Sequence, residues 1–176
     1  MSSTNRSVPK SEKYLPIKQV FFKWIMLAIR GSQRYIFCES FCHSQTIWAV
    51  NMNILAIETS TKNCSVALYV DGKVTHHAQL AQREQAMLIL PMIDQLFKAA
   101  NISVEQLDYI ALSVGPGSFT GLRLAMGVAQ GFSLTHDIPV IAISSLAVWA
   151  QAAYRANPVE QITVAVNAHM GEVYVG

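Results

Sequence analysis

Charged side chains are scarce in this sequence. Asp, Glu, Lys and Arg make up 14% of its 176 residues, whereas apolar residue types make up 52%. Such a composition indicates a globular and rather apolar protein. The length suffices for one domain with a well-formed core, or for a domain followed by a fragment of a second.

Cysteine is also sparse. The chain has three cysteines, Cys38, Cys42 and Cys64. An odd, small number argues against a disulfide framework and indicates a reducing compartment, so we expect a cytoplasmic protein. Cys38, Cys42 and His43 lack the fourth ligand of a structural zinc site, and we predict no metal centre there.

No apolar run is long enough to cross a membrane. The longest candidate, QVFFKWIMLAIRG, is interrupted by Lys23 and falls short of the roughly 20 residues that a span requires. Basic residues are concentrated in residues 1–51, which carry a net charge of +5, while residues 52–176 carry −3. The main body therefore has no basic stripe for direct nucleic-acid binding.

Residues 1–51 differ in composition from the rest of the chain. They are polar and rich in Ser, Thr, Lys and Pro up to Lys18, and a regular strand pattern begins only at Met52. We interpret residues 1–51 as an appended, disordered or non-native leader. A targeting peptide is the alternative.

From Met52 onwards the pattern alternates regularly between strands and helices. Asp71-Gly72 predicts a two-residue hairpin turn between the second and third strands, and a helical period follows over residues 83–100. Pro91 lies inside that helix and predicts a kink or a restart near Leu90. Further strands are predicted at 108–114, 139–143 and 162–167, and further helices at 118–135 and from Ser144 or Ser145 onwards. After the last of these strands, the chain is predicted to turn at Met170-Gly171.

A glycine-rich corner joins the fourth strand to the second helix. Gly115, Pro116 and Gly117 form a tight turn, and Ser118 is the expected N-cap of the helix. Glycine lets backbone amides approach an anion or another chain segment closely, and a helix N-terminus favours negative charge.

The second helix is unusually rich in small residues. Gly121, Ala125, Gly127 and Gly131 lie within eleven positions of one another. Because each helical glycine costs about 1 kcal/mol relative to alanine, this pattern needs a compensating reason. Close packing against the protein's own sheet and packing against a partner helix are both compatible with it.

The element order β-β-β-α-β-α-β-α is that of a ribonuclease-H-like lobe of the actin, hexokinase and Hsp70 superfamily. We expect this lobe to occupy residues 52–157, and residues 158–176 to open a second, truncated lobe. In that superfamily the end of the first strand faces nucleotide phosphates. The corresponding residues here are Glu58, Thr59 and Ser60, with Gly115, Gly117 and Ser118 opposite.

Four segments, MNILAIETST, GPGSFTGLR, AQG and MGEVY, together resemble the TsaB (YeaZ) family over Met52 to Gly176. This resemblance implies a non-catalytic dimerisation subunit in bacterial threonylcarbamoyladenosine modification of tRNA. The expected partners are a TsaD-like transferase, a TsaE-like ATPase or a second copy of the chain, with tRNA met only through the complex.

The resemblance also implies particular site residues. The pairing surface of the family is built from the first two helices, which makes Met87, Gly121, Ala125, Gly127 and Gly131 the expected interface. No intrinsic cofactor is implied, and ATP or ADP at the partner interface stays open. TsaD has a His-x-x-x-His metal pair where this chain has Ser145 and Trp149, so neither a metal site nor catalytic residues are expected.

An enzyme of the superfamily is the alternative, either a metallopeptidase or a sugar-kinase-like phosphotransferase. A metallopeptidase needs paired metal ligands. His76 and His77 are adjacent on a predicted strand, so their side chains should point to opposite faces of the sheet. This arrangement disfavours the peptidase hypothesis.

Overall fold

A computed structural model describes residues 52–81, 84–159 and 161–176 of the chain. The predicted N-terminal extension, residues 1–51, lies outside the described residues. So does Arg83, with which the helical period of the sequence begins. The expected boundary between residues 157 and 158 stays a prediction.

A five-stranded mixed sheet forms the centre of the fold. Its first three strands are an antiparallel meander. β4 joins β1 in parallel and β5 joins β4 in parallel, which gives the order β3-β2-β1-β4-β5. The predicted meander and its parallel extension are thereby confirmed. The strands are β1 (Ile54–Glu58), β2 (Asn63–Val70), β3 (Lys73–Leu80), β4 (Tyr109–Gly115) and β5 (Val140–Ser144).

Three helices accompany the sheet. They are α1 (Gln85–Ala100), α2 (Phe119–His136) and α3 (Ser145–Ala156), and a short 3-10 helix spans Val104–Gln106. Of the kink or restart predicted near Leu90, the restart is wrong, because α1 runs without a break through Pro91. The kink stays a prediction. Proline removes one helical donor, the one that would reach the Met87 carbonyl. Residues Met87 and Pro91 are both exposed, so water can reach this part of the helix.

Both predicted hairpin turns are present. Asp71 and Gly72 have φ values of 49° and 79°, as a two-residue type I′ turn requires. Met170 and Gly171, at 54° and 82°, join β6 (Ala165–His169) to β7 (Glu172–Val175) in a separate two-stranded sheet. The strand expected at 162–167 thus begins three residues later, although Val164 and Gly176 still exchange two backbone hydrogen bonds.

Alternate residues of β1 supply the two faces of the core. Leu55 and Ile57 belong to a cluster with residues of α1 and α2, whereas Ile54 and Ala56 pack in a second cluster with Val148 of α3. All five residues of β1 are buried. The central strand is therefore covered on both sides, with α1 and α2 together on one of them.

Replacing Ile93 of α1 with alanine should lower the free energy of unfolding by about 2–4 kcal/mol, because Ile93 is 2% exposed and a cavity would remain. Met87→Ala on the same helix is the control and should change it by less than about 0.5 kcal/mol, since Met87 is 76% exposed. Urea denaturation followed by circular dichroism measures both. Equal losses in the two variants would contradict the assigned orientation of α1.

Candidate functional site

The polar residues that follow β1 are buried and hydrogen-bonded. Glu58, Thr59 and Ser60 are 8%, 0% and 5% exposed. The Glu58 carboxylate accepts a hydrogen bond from the Ser113 hydroxyl of β4 and another, of 2.6 Å, from the Ser60 backbone N–H. Two donors thus compensate the desolvation of this carboxylate, as a buried charge requires.

The glycine corner between β4 and α2 lies directly against the end of β1. A Cβ atom at Gly117 would lie 2.6 Å from the Ser60 Cβ, so no larger residue fits there without movement. The Ser118 N–H donates to the Ser60 carbonyl at 2.7 Å. Ser118 is the N-cap of α2, because its hydroxyl accepts a hydrogen bond from the Gly121 N–H at 3.3 Å.

Gly121 makes the closest contact of this corner. A Cβ atom at Gly121 would overlap the Thr59 carbonyl oxygen. In the other direction, the Thr59 hydroxyl donates to the Gly121 carbonyl at 2.7 Å. The first turn of α2 is therefore held to the end of β1 by steric fit and by a buried hydrogen bond.

Five of the six residues expected to face a phosphate group lie together: Glu58, Thr59, Ser60, Gly117 and Ser118. Gly115 lies one turn away, beside the Leu122 side chain. The Glu58 carboxylate, the Thr59 hydroxyl and the backbone N–H and C=O of Ser60 are already paired inside the lobe. An incoming phosphate would have to replace these hydrogen bonds. The phosphate-facing role of these residues stays a prediction.

The outward sides of α1 and α2 carry exposed apolar residues, which we call the helix face. Helical spacing places Met87 and Leu134 opposite the buried residues of their helices, and Leu90, Phe119 and Met126 at the flanks of the buried side. The helix face consists of Met87 (76% exposed) and Leu90 (52%) of α1, and Phe119 (68%), Met126 (41%) and Leu134 (86%) of α2. On α2, Gly127 and Gly131 are exposed between these residues, and a Cβ atom at either would meet nothing within 4 Å.

The small residues of α2 divide between two sides of the helix, which corrects part of the expected interface. Gly121 and Ala125 are buried, so they cannot reach a partner; together with Ala129 they let α2 lie close to the sheet. Gly127 and Gly131 face outwards, as does Met87 on α1. Their role in an interface stays a prediction.

Charged groups near the helix face are paired within their own helices. The Arg123 guanidinium stacks on the Phe119 ring at 3.9 Å from its centroid. On α1, the Lys98 ammonium lies 2.6 Å from the Asp94 carboxylate. Such exposed pairs add little to stability.

Other groups of chemical interest are isolated. Cys64 is buried, and desolvation raises the pKa of its thiol, which fits an inert core residue. The Ser145 hydroxyl is buried without a hydrogen-bond partner. Within the described ranges, no group of three or more His, Cys, Asp or Glu residues could hold a metal ion. None of the helices in those ranges is long and apolar enough to cross a membrane.

Comparison with known proteins gives consistent matches. The family model "TsaD: tRNA N6-adenosine threonylcarbamoyltransferase" matches residues 72–176. The tRNA threonylcarbamoyladenosine biosynthesis proteins TsaB of Haemophilus influenzae and Escherichia coli are 46% and 44% identical to the chain over 124 and 123 residues. A solved structure of YeaZ from Pseudomonas aeruginosa is 42% identical, with a TM-score of 0.67. The chain belongs to the TsaB (YeaZ) family.

The chain covers only part of the length of each of these relatives. The matches cover 70–71% of the chain but only 52% and 53% of the two TsaB relatives and 59% of the YeaZ structure. The chain thus spans about half the length of the curated relatives. The similarity to YeaZ, together with the five-stranded sheet and its helices, confirms the ribonuclease-H-like fold.

Several residues of the site do not stand out in the sequence. Ser113 lies in an apolar strand pattern, yet it donates to Glu58. No motif marks Gln85, although its amide reaches the loop between β1 and β2. No motif marks Phe119 and Leu134 of the helix face either. A polar residue inside an apolar strand was the available signal for Ser113, whereas the other three depend on tertiary placement.

Alanine substitutions should separate the two kinds of glycine in α2. Gly121→Ala should lower the free energy of unfolding by about 2–4 kcal/mol, because the new methyl group overlaps the Thr59 carbonyl. Gly127→Ala should raise it by about 0.5–1 kcal/mol, because helix propensity improves and the site is open. Thermal and urea unfolding measure both effects. A neutral Gly121→Ala variant would refute the close contact.

Proposed function

We propose that this chain is a non-catalytic subunit that pairs with a TsaD-like threonylcarbamoyltransferase, for N6-threonylcarbamoyladenosine modification of tRNA beside the anticodon. The observation that carries this proposal is the helix face, an exposed apolar surface on a lobe of the TsaB family. Large apolar side chains exposed together on one side of a domain mark an interaction surface. The two TsaB relatives are named for tRNA threonylcarbamoyladenosine biosynthesis, which supports a role of that surface in the same process.

The shape of the helix face suits a partner helix. Gly127 and Gly131, one helical turn apart, place no side chain on the outer side of α2. Leu134 lies next to them on the helix surface, and Met126 lies on the same side, about 100° round the helix from Gly127. Small residues four apart allow two helix backbones to approach closely, and Leu134 and Met126 can then pack beside the partner helix. Met87 and Leu90 add exposed apolar side chains on α1, so pairing would involve both helices.

The same surface can serve one partner at a time. We propose the TsaD-like subunit as its functional occupant, and a homodimer as the form that the chain adopts when this partner is absent. A TsaE-like ATPase would then join the assembled pair, and tRNA would contact the complex rather than this subunit. We place this assembly in the cytoplasm, where tRNA is modified.

The alternative of an independent enzyme has no specific support in the described part of the chain. Ser145 and Trp149 stand where the TsaD resemblance places metal-binding histidines. Neither a lone hydroxyl nor an indole replaces imidazole as a zinc ligand. The two TsaB relatives are named as biosynthesis proteins for a tRNA modification.

A charge on the helix face should prevent pairing. Met126→Glu, and Gly127→Leu as a steric variant, should each weaken binding to the TsaD-like subunit of the same genome by at least about tenfold, because a buried interface centre tolerates neither charge nor bulk. Leu80→Glu on β3 is the control, since Leu80 is 65% exposed and lies outside the helix face. Isothermal titration calorimetry measures the affinity, and light scattering the oligomeric state. Unchanged affinity in both helix-face variants would refute the proposal.

We further propose that ATP or ADP needs the partner interface to bind. Because Glu58, Thr59 and Ser60 are hydrogen-bonded within the lobe, the chain alone should give no calorimetric signal with either nucleotide. The same titration into the assembled pair should show binding. Saturable binding to the isolated chain would contradict this expectation.

A further inference from the structure

The loop between β1 and β2, residues 59–62, contacts the beginnings of both helices that carry the helix face. On the side of α1, the Gln85 side-chain amide donates to the Thr61 carbonyl at 2.7 Å and to the Asn63 carbonyl at 3.3 Å. Gln85 is the first residue of α1. The start of α1 is therefore tied to this loop by a side chain rather than by backbone pairing.

On the side of α2, the same loop supplies two more hydrogen bonds. The buried Thr59 hydroxyl donates to the Gly121 carbonyl at 2.7 Å, and the Ser60 carbonyl accepts from the Ser118 N–H at 2.7 Å. Hydrogen bonds that are shielded from water are electrostatically stronger and more restrictive than exposed ones. The first turn of α2 thus has little freedom to shift along the sheet.

The two sets of contacts meet at Gly121. The Gln85 side-chain oxygen lies 3.4 Å from the place that a Cβ atom of Gly121 would occupy. Elsewhere α1 packs mainly on β2 and β3, and α2 mainly on β4, β1 and β5, and the two helices share one apolar cluster. The loop contacts add directional hydrogen bonds to this apolar packing at the beginnings of both helices.

We propose that Thr59 and Gln85 are positioning residues that fix α1 and α2 relative to each other, so that Met87 and Met126 present one surface to the partner. This inference rests on the proposed function of the helix face. The affinity of a partner that contacts both helices depends on their relative position. If one helix is displaced, the partner cannot keep its contacts with both. The two side chains act on pairing without touching the partner.

The first experiment measures the distance between α1 and α2 in the uncomplexed chain. Spin labels at Gln95→Cys on α1 and Gln130→Cys on α2, both exposed sites, report the distance between the helices. Cys38→Ser and Cys42→Ser complete the background, in which Cys64 is buried. Thr59→Val keeps the side-chain volume and removes the hydroxyl, and Gln85→Ala removes the amide. Each should shift or widen the distance distribution, whereas Thr59→Ser should restore that of the parent.

The second experiment measures pairing with the TsaD-like subunit by calorimetry. Thr59→Val and Gln85→Ala should weaken binding about tenfold, and Thr59→Ser should bind like the parent. Val148→Ala is the stability control, because Val148 is buried in the cluster on the other side of the sheet. It should lower the unfolding midpoint and leave both the distance distribution and the affinity unchanged.

The outcomes separate this inference from the proposed function. If Met126→Glu abolishes pairing but Thr59→Val changes neither distance nor affinity, the helix face is correct and the positioning role is wrong. If Val148→Ala weakens binding as much as Thr59→Val does, the effect is one of stability and the positioning role is again wrong. If helix-face variants pair normally, the proposed function fails, and the spin-label distances still decide whether Thr59 and Gln85 hold the helices.

Discussion

The fit between Thr59 and Gly121 is the contact on which the arrangement of this lobe depends. It needs a residue without a side chain at the first turn of α2, because any Cβ atom there would overlap the backbone at the end of β1. It also needs a hydroxyl at Thr59, which is buried and reaches the Gly121 carbonyl. From this contact follow the close approach of α2 to the sheet and the burial of Ala125 and Ala129. The side of α2 opposite these three small residues consequently faces away from the sheet.

α2 therefore uses small residues for two different purposes. Gly121, Ala125 and Ala129 bring the helix close to its own sheet. Gly127 and Gly131, which lie between Met126 and Leu134 in sequence, add no side chain to its outer side. The glycines lower the intrinsic stability of the helix. Packing on the sheet compensates for this cost, since tertiary contacts rather than propensity provide most helix stability in proteins. A side chain at either outer glycine would meet no other group in the described part of the chain, which is consistent with the interface proposed for this side of α2.

Strand and turn chemistry was readable from the sequence because it is local. Asp71-Gly72 and Met170-Gly171 need positive φ values at adjacent positions, and Ser118 is a typical N-cap. The division of the small residues was not readable in this way, because a four-residue spacing does not tell which side of a helix meets the sheet. The hydrogen bonds Glu58–Ser113 and Gln85–Thr61 could not be predicted from the sequence either, since they join residues far apart in sequence. Their detection required the register of β1 with β4 and the position of α1.

Pro91 gives the helix face one property that its apolar side chains do not suggest. Because proline has no N–H, the Met87 carbonyl lacks the donor that a helix normally provides four residues later. Water can satisfy this oxygen while α1 is uncovered. A subunit that settles over Met87 must bring its own donor or trap a water molecule there, since an unsatisfied buried carbonyl is costly. A partner of the helix face would therefore need a hydrogen-bond donor or a bound water molecule at this carbonyl, in addition to apolar side chains. A purely apolar surface does not provide one.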